Sequence, residues 1–435
     1  MTTTSQPLGR SAGWSLPAAV LIALLCHTPA SSQDPDRGHP PADCPRIAAV
    51  RVTGNERTET DVILREMESR AGRCYNPVLV GQDRDRIDNL DLFSEVVIDS
   101  LRQDGRLVLE VRVKERLVWI PLAWIPYPLL NWTEENGWSY GLGVANPNSS
   151  GRNRRVSLLI QGGGERQAAF SYADPWIVGN HGSAAISVGY SRSEDAEGRT
   201  DRWMVTRISL GSYLGAWGRA RLAFDAGEIE TDPWRTSSLS GVDRLRSITL
   251  GAACDTRDVY ADPRCGWYVS SSVGVAGGVL GGTVDYDAYR LDIRRFQPTW
   301  GRQTLAGSIS IVTREGSVPD YHLLRLGGWS LVRGVHPVSA KGASRTVASA
   351  EYRLPIREKR SYDFWFIRNV DLGLMAAVFA DLGAVSDENR VPPPDRFYGS
   401  VGAGVRILSQ QVVRLEVAHS RRDGAQWILA TGMPF

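Results

Sequence analysis

Asp371-Leu372-Gly373-Leu374-Met375-Ala376-Ala377-Val378-Phe379-Ala380-Asp381 has two unlike faces when read with a period of two. Leu372, Leu374, Ala376, Val378 and Ala380 share one face, and Asp371, Gly373, Met375, Ala377, Phe379 and Asp381 share the other. Alternation of this kind is the mark of a β-strand with two different surroundings. Both carboxylates fall on one side, so the other side is free to meet lipid. The next two segments repeat the pattern. Val401, Ala403, Val405 and Ile407 oppose Gly402, Gly404 and Arg406, and Val413, Leu415 and Val417 oppose Arg414 and Glu416. A polar interior within an apolar shell is what a transmembrane β-barrel requires, and a tilted strand of about ten residues is enough to cross.

Working outward, similar segments fill the chain from Leu117 to Phe435: 117–126, 137–146, 153–163, 166–174, 182–193, 200–214, 218–230, 243–255, 266–277, 283–297, 302–314, 344–355, 369–381, 397–408, 411–420 and 425–435. They number about sixteen, the even count of a single-chain bacterial barrel. A soluble sandwich or propeller would also alternate, but no blade-length repeat is present. With entry from the periplasm, connections after odd-numbered strands are extracellular. The longest, 315–343, is the sixth of these.

Composition agrees with this reading. The 435 residues carry 50 Lys+Arg against 48 Asp+Glu, which gives no charge-based case for nucleic acid, and 44 Gly with 14 Trp suit a barrel. Arg10 precedes an apolar run from Trp14 to Cys26 and small residues at Ala30, Ser31 and Ser32. Residues 1–32 therefore read as an export signal, too short for a span, and 33–44 as a linker. Export allows Cys44 with Cys74, and Cys254 with Cys265, to be disulfides. No metal-ligand spacing, nucleophile elbow, phosphate loop or dinucleotide fingerprint is present, so no catalytic residue, metal or cofactor is expected.

Residues 45–115 follow a different rule. Ile47, Val50 and Val52 lead to Gly54-Asn55. Thr58 or Thr60 can cap a helix carrying Val62, Ile63 and Met67, and a second helix starts near Pro77. Two strands, 94–101 and 107–113, close at Asp104-Gly105, giving a small βααββ unit. Val50-Arg51-Val52-Thr53-Gly54-Asn55, Ile63-Leu64-Arg65-Glu66, Asp85 to Leu90, Leu92-Phe93-Ser94-Glu95-Val96 and Val111-Arg112-Val113-Lys114-Glu115 resemble a polypeptide-transport-associated (POTRA) domain. The resemblance implies a periplasmic module that meets client polypeptides, and an exposed sheet edge is a surface that an extended chain can join.

The barrel, 116–435, resembles the BamA/TamA-type outer-membrane assembly and translocation family. The residues that carry this are Val332-Arg333-Gly334 in the sixth loop, Phe379, Asp381 and Gly383 on the thirteenth strand, the turn motifs Asp174-Pro175-Trp176 and Asp255-Thr256-Arg257-Asp258, and terminal Phe435 as an assembly signal. The pattern departs at Val335, where the family usually has an aromatic residue. The resemblance implies that the sixth loop folds into the lumen and that Arg333 pairs with Asp381. It also implies a place in the outer membrane of a Gram-negative bacterium, unfolded or nascent client proteins as partners, and periplasmic accessory proteins beside them. The seam between first and last strands, weakened by Pro121, would open to template client strands. The same design would also suit a secretion pore for a dedicated partner or a passive channel.

Overall fold

The computed structural model describes residues 44–435 apart from 117–123, 134–136, 180, 195–199, 329–330, 337–339, 365–366, 388–395 and 410–411. The signal and most of the linker, Pro121, and Trp329-Ser330 of the sixth loop therefore lie outside the described residues.

The first domain consists of β1 (Ile47–Thr53), α1 (Thr60–Leu64), α2 (Pro77–Asp88), β2 (Phe93–Gln103) and β3 (Arg106–Glu115). Its sheet runs β1-β3-β2, with β1 parallel to β3 and β2 antiparallel, so β1 and β2 are its edges. Asn76 starts α2 by accepting from the backbone N–H of Val78 and Leu79 at 2.9 and 3.3 Å, and Pro77 occupies a position whose N–H has no helical partner. Val62, Ile63, Met67, Ile87, Leu90, Phe93, Val111 and Val113 form the buried core between helices and sheet. Cys44 and Cys74 are disulfide-bonded, with Cα atoms 5.6 Å apart, and tie the start of the domain to the turn before α2.

The second unit is one sixteen-stranded antiparallel sheet with neighbours in sequence order. Its strands are β4 (Ile125–Thr133), β5 (Gly137–Ser149), β6 (Arg154–Gly163), β7 (Glu165–Val178), β8 (Gly182–Glu194), β9 (Thr200–Leu214), β10 (Gly218–Glu230), β11 (Val242–Asp255), β12 (Gly266–Ala276), β13 (Asp285–Pro298) and β14 (Thr304–Ser317). After β15 (Leu324–Arg325) and β16 (Lys341–Gly342), a two-stranded pair inside the sixth loop, the sheet resumes. Its last strands are β17 (Ser344–Phe364), β18 (Ile367–Ser386), β19 (Tyr398–Leu408), β20 (Val413–Ser420) and β21 (Gly424–Thr431).

The two faces sort as the alternation requires. Ile160, Leu210, Leu250, Val401, Leu415 and Leu429 are exposed on the outer face, whereas Arg353, Asp381, Arg406, Arg414 and Glu416 are buried on the inner one. In β18, exposure alternates from Asp371 through Leu382 as the sequence predicts.

Two ends differ from expectation. The described ladder of the first strand runs from Ile125 to Thr133, past the expected end at 126, and includes Pro126 and Pro128, while 117–123 lie outside the described residues. A terminal strand tolerates proline because one of its sides has no ladder to feed. The last strand ends at Thr431. Beyond it the chain turns inward, and the Phe435 ring lies 6.4 Å from that of buried Phe296 on the inner face of β13. Among the described residues no ladder joins β4 to β21, so these strands are the two ends of the sheet.

The first domain rests on the turns after β5, β7 and β11. Glu59 N–H donates to Gly151 O at 2.9 Å, and Arg152 meets the Glu59 carboxylate at 2.9 Å. Arg65 lies over the Trp176 ring at 4.5 Å, and Asn89 both donates to Asp258 O (2.9 Å) and accepts from Tyr260 N–H (2.8 Å). These contacts fix which end of the sheet faces the domain. The sixth loop is at the other end.

The β17–β18 hairpin is longer than its neighbours. The pairing of β14 stops at Arg353 and that of β19 at Gly373, so 354–372 extend as a two-stranded ribbon towards the first domain. There Asp371 meets Arg116 and Lys359, each at 3.2 Å.

A disulfide between Cys254 and Cys265 is not formed; both are thiols. Register gives the reason. Cys254 stands opposite Val269, and Cys265 lies opposite Asp258, whose N–H donates to its carbonyl. Four residues of strand separate the two cysteines, roughly 13 Å at about 3.3 Å per residue, whereas a disulfide needs Cα atoms within about 7 Å.

Candidate functional site

The sixth loop enters the lumen and presents Arg333 to three strands. Its guanidinium grips Asp381 of β18 with both oxygens, Nε to Oδ2 at 2.7 Å and Nη2 to Oδ1 at 2.8 Å, and its backbone N–H donates to Oδ2 at 3.1 Å. Nη1 donates to Glu351 of β17 at 2.9 Å and stands 3.7 Å from Glu416 of β20. The guanidinium carbon is 3.4 Å from the centre of the Phe379 ring. A planar, five-donor cation suits such a set of partners far better than an ammonium. Arg333 is 1% exposed.

Small residues allow this approach. A Cβ on Gly334, whose φ is +77°, would meet the Ala418 side chain at 2.7 Å, and one on Gly383 would meet Val332 at 2.6 Å and Leu326 at 2.7 Å. Val332 and Val335 pack with Leu326 and Val347 in a small buried cluster, so Val335 fills space against aliphatic neighbours where an aromatic ring would stack.

The charges extend beyond the expected pair. Arg406 of β19 donates to Glu351 at 2.6 and 2.5 Å and to Glu416 at 3.1 and 2.7 Å. Arg414 reaches Glu416 at 2.8 Å, and Arg353 reaches Glu351 at 2.7 Å. Four guanidiniums, of Arg333, Arg353, Arg406 and Arg414, thus share three carboxylates, of Glu351, Asp381 and Glu416. A further carboxyl group, of Asp262, stands 3.8 Å from Arg353. It belongs to the turn after β11 that Asn89 of the first domain holds. The domain-facing end of the barrel thus reaches the lumen network through this residue. Sequence reasoning placed Arg406, Arg414 and Glu416 on the inner face without assigning them partners. It missed Glu351, Arg353 and Asp262, although Glu351 and Arg353 alternate inward in 344–355. Asp262 lies in a turn, where no period applies.

A small α+β domain followed by a sixteen-stranded sheet has known counterparts. Residues 148–418 match the family described as the Omp85 superfamily domain. The chain belongs to the Omp85 superfamily. Residues 45–116 match the POTRA family described as a surface antigen variable number repeat. This Omp85 protein is 27% identical over 418 residues to an outer membrane protein assembly factor BamA of Neorickettsia risticii, covering 87% of this chain and 53% of that one. It is 21% identical over 368 residues to the protein of the same name from Nitratidesulfovibrio vulgaris, covering 79% and 44%. It spans about half the length of these relatives.

Solved structures share the fold. BamA from Haemophilus ducreyi lacking POTRA domains 1–3 superposes with a TM-score of 0.55 at 15% identity, covering 91% of this chain and 85% of that one. CdiB from Escherichia coli superposes with a TM-score of 0.59 at 12% identity, covering 89% and 74%. The Omp85 chain is a Gram-negative outer-membrane protein with its POTRA domain in the periplasm. The end of the barrel that meets this domain is therefore the periplasmic end.

Proposed function

We propose that this protein inserts or translocates client polypeptides at the outer membrane without covalent chemistry. The observation that carries the reading is the pair of unjoined sheet ends, β4 and β21. A terminal strand offers a row of unpaired N–H and C=O groups, and an incoming strand gains ladder bonds by adding to it. The POTRA domain receives the client first, along the outer edge of β2, whose residues Ser100 to Gln103 are exposed. Periplasmic accessory proteins would meet the same domain. The sixth loop, latched by Arg333 to Asp381 and Glu351, keeps the lumen shaped while the seam works. The relatives named as assembly factors support this direction.

The reading is tested by depletion. Loss of the protein should lower the amounts of other folded outer-membrane barrels, while unchanged levels of all of them would refute an assembly role. The second reading is secretion through the lumen, favoured by a cavity of about 730 Å3 on its inner wall. Large, steady conductance in planar bilayers would favour a passive channel over both.

A further inference from the structure

Many of the described arginines inside this barrel are neutralised. Arg207 is bound to Asp225, Arg294 to Asp292, Arg353 to Glu351, Arg414 to Glu416, and Arg333 and Arg406 to the carboxylates already described. Others, such as Arg221 with the Ser209 hydroxyl at 3.1 Å, have no carboxylate partner among the described residues, and three of these stand together. Arg290 on β13 and Arg345 on β17 flank Val312 of β14 from opposite sides, and Arg314 lies two residues along from Val312 on the same inner face. Arg314 is thus the diagonal neighbour of both, at a spacing of roughly 7–8 Å. Among the described residues no carboxylate lies within ion-pair reach of any of the three.

Among the described residues their surroundings offer little other compensation. The cavity that Arg290 and Arg314 line is also lined by Arg207, Arg219 and Arg221, and its one acidic residue, Asp225, is already held by Arg207. Arg345 donates one N–H to Arg325 O at 3.0 Å, and Arg314 lies 5.9 Å from the Tyr286 ring. These contacts orient two of the guanidiniums and leave most of their donors unused. Like charges at adjacent positions repel, and nothing in the packing of Val312 calls for them.

We infer that Arg290, Arg314 and Arg345 form an oxyanion-binding site in the extracellular half of the lumen, whose ligand is a phosphate group. Guanidiniums grip phosphate oxygens two at a time, and a tetrahedral dianion can receive donors from three directions at once. Chloride has one centre and cannot bridge the three in this way. The phosphate is either free or borne on a lipid headgroup, because the site recognises the same chemistry in both.

The test uses the full chain in neutral detergent micelles at constant ionic strength. A ligand that binds only the folded state raises Tm in a saturable way. Inorganic phosphate should do so where equal chloride does not, and in a second arm a phosphate-monoester lipid is added to the micelles. R290Q/R314Q/R345Q should raise the half-saturating concentration at least tenfold, while R112Q, in the POTRA domain, leaves it within twofold. Heat-modifiable mobility on gels checks that each variant folds, and R290Q alone, at an exposed position, serves if the triple variant does not. A response in the lipid arm only assigns the source and keeps the site. No saturable response in either arm, or one that survives the arginine substitutions, overturns it.

Discussion

Arg333 of the sixth loop and Asp381 of β18 meet through two parallel side-chain bonds of 2.7 and 2.8 Å, 48 residues apart in sequence and both buried. Removing one partner of a buried pair leaves the other uncompensated, at a cost of roughly 3 to 5 kcal/mol. Arg333→Ala should therefore release the sixth loop, read as new protease cleavage between 318 and 343 from the extracellular side. Arg333→Lys should recover little, since an ammonium cannot replace the paired geometry.

Asp262 reaches the lumen network from a periplasmic turn, 3.8 Å from Arg353. Asp262→Asn should loosen the loop through Arg353 and Glu351, and Asn89→Ala should do so more weakly by freeing the turn. Faster hydrogen exchange at Leu331 to Val335 in both variants, smaller in the second, is the expected result. If only 258–262 responds, the turn and the loop are not coupled.

His322 in the same loop is packed among Tyr286, Tyr321 and Trp203, and its Nδ1 lies 3.0 Å from the Tyr286 hydroxyl. Burial, and secondarily Arg314, pull its pKa down to about 4, against a weaker opposite pull from Asp243. The neutral ring is thus the docked form. Its contribution is complete above the ordinary value of about 6.5 and is lost as pH falls from there through 4, because the undocked state binds the proton more readily. Protease cleavage at 318–325 should rise over that window in the native chain and stay flat in His322→Phe.

The cysteines behave differently from each other. The Cys44–Cys74 bond closes a stretch of 30 residues, so Cys44→Ser/Cys74→Ser should cost the POTRA domain about 3 to 4 kcal/mol on the chain-entropy account, measured by chemical denaturation. Cys265 is exposed, and burial of its thiol group and the neighbouring Asp258 push its pKa up. It should label with maleimide without reductant, with a rate still climbing above the pH of an ordinary thiol.

How far the sequence reaches can be judged from these residues. Asp381 was legible because strand parity puts it inside, and Arg333 because glycines crowd around it in the longest connection. Glu351 has the same parity, but periodicity names a face and not a partner, and four strands, a loop and a turn contribute to the network around it. The first strand runs past its expected end at 126 to Thr133 because a terminal strand tolerates Pro126 and Pro128, and a sequence does not show where a sheet ends. The Cys254–Cys265 pairing failed because proximity in sequence says nothing of register, which sets the two four residues apart along the hairpin.

The claim that client strands join at the β4–β21 seam is tested most directly by site-specific photocrosslinking in cells. A photoreactive residue is placed at Leu129 of β4, or at Gln426 of β21, and compared with one at lipid-facing Ile160 of β6. The account predicts adducts with nascent outer-membrane proteins at the two seam positions and none at Ile160. Adducts absent from the seam, or equally abundant at Ile160, would contradict it.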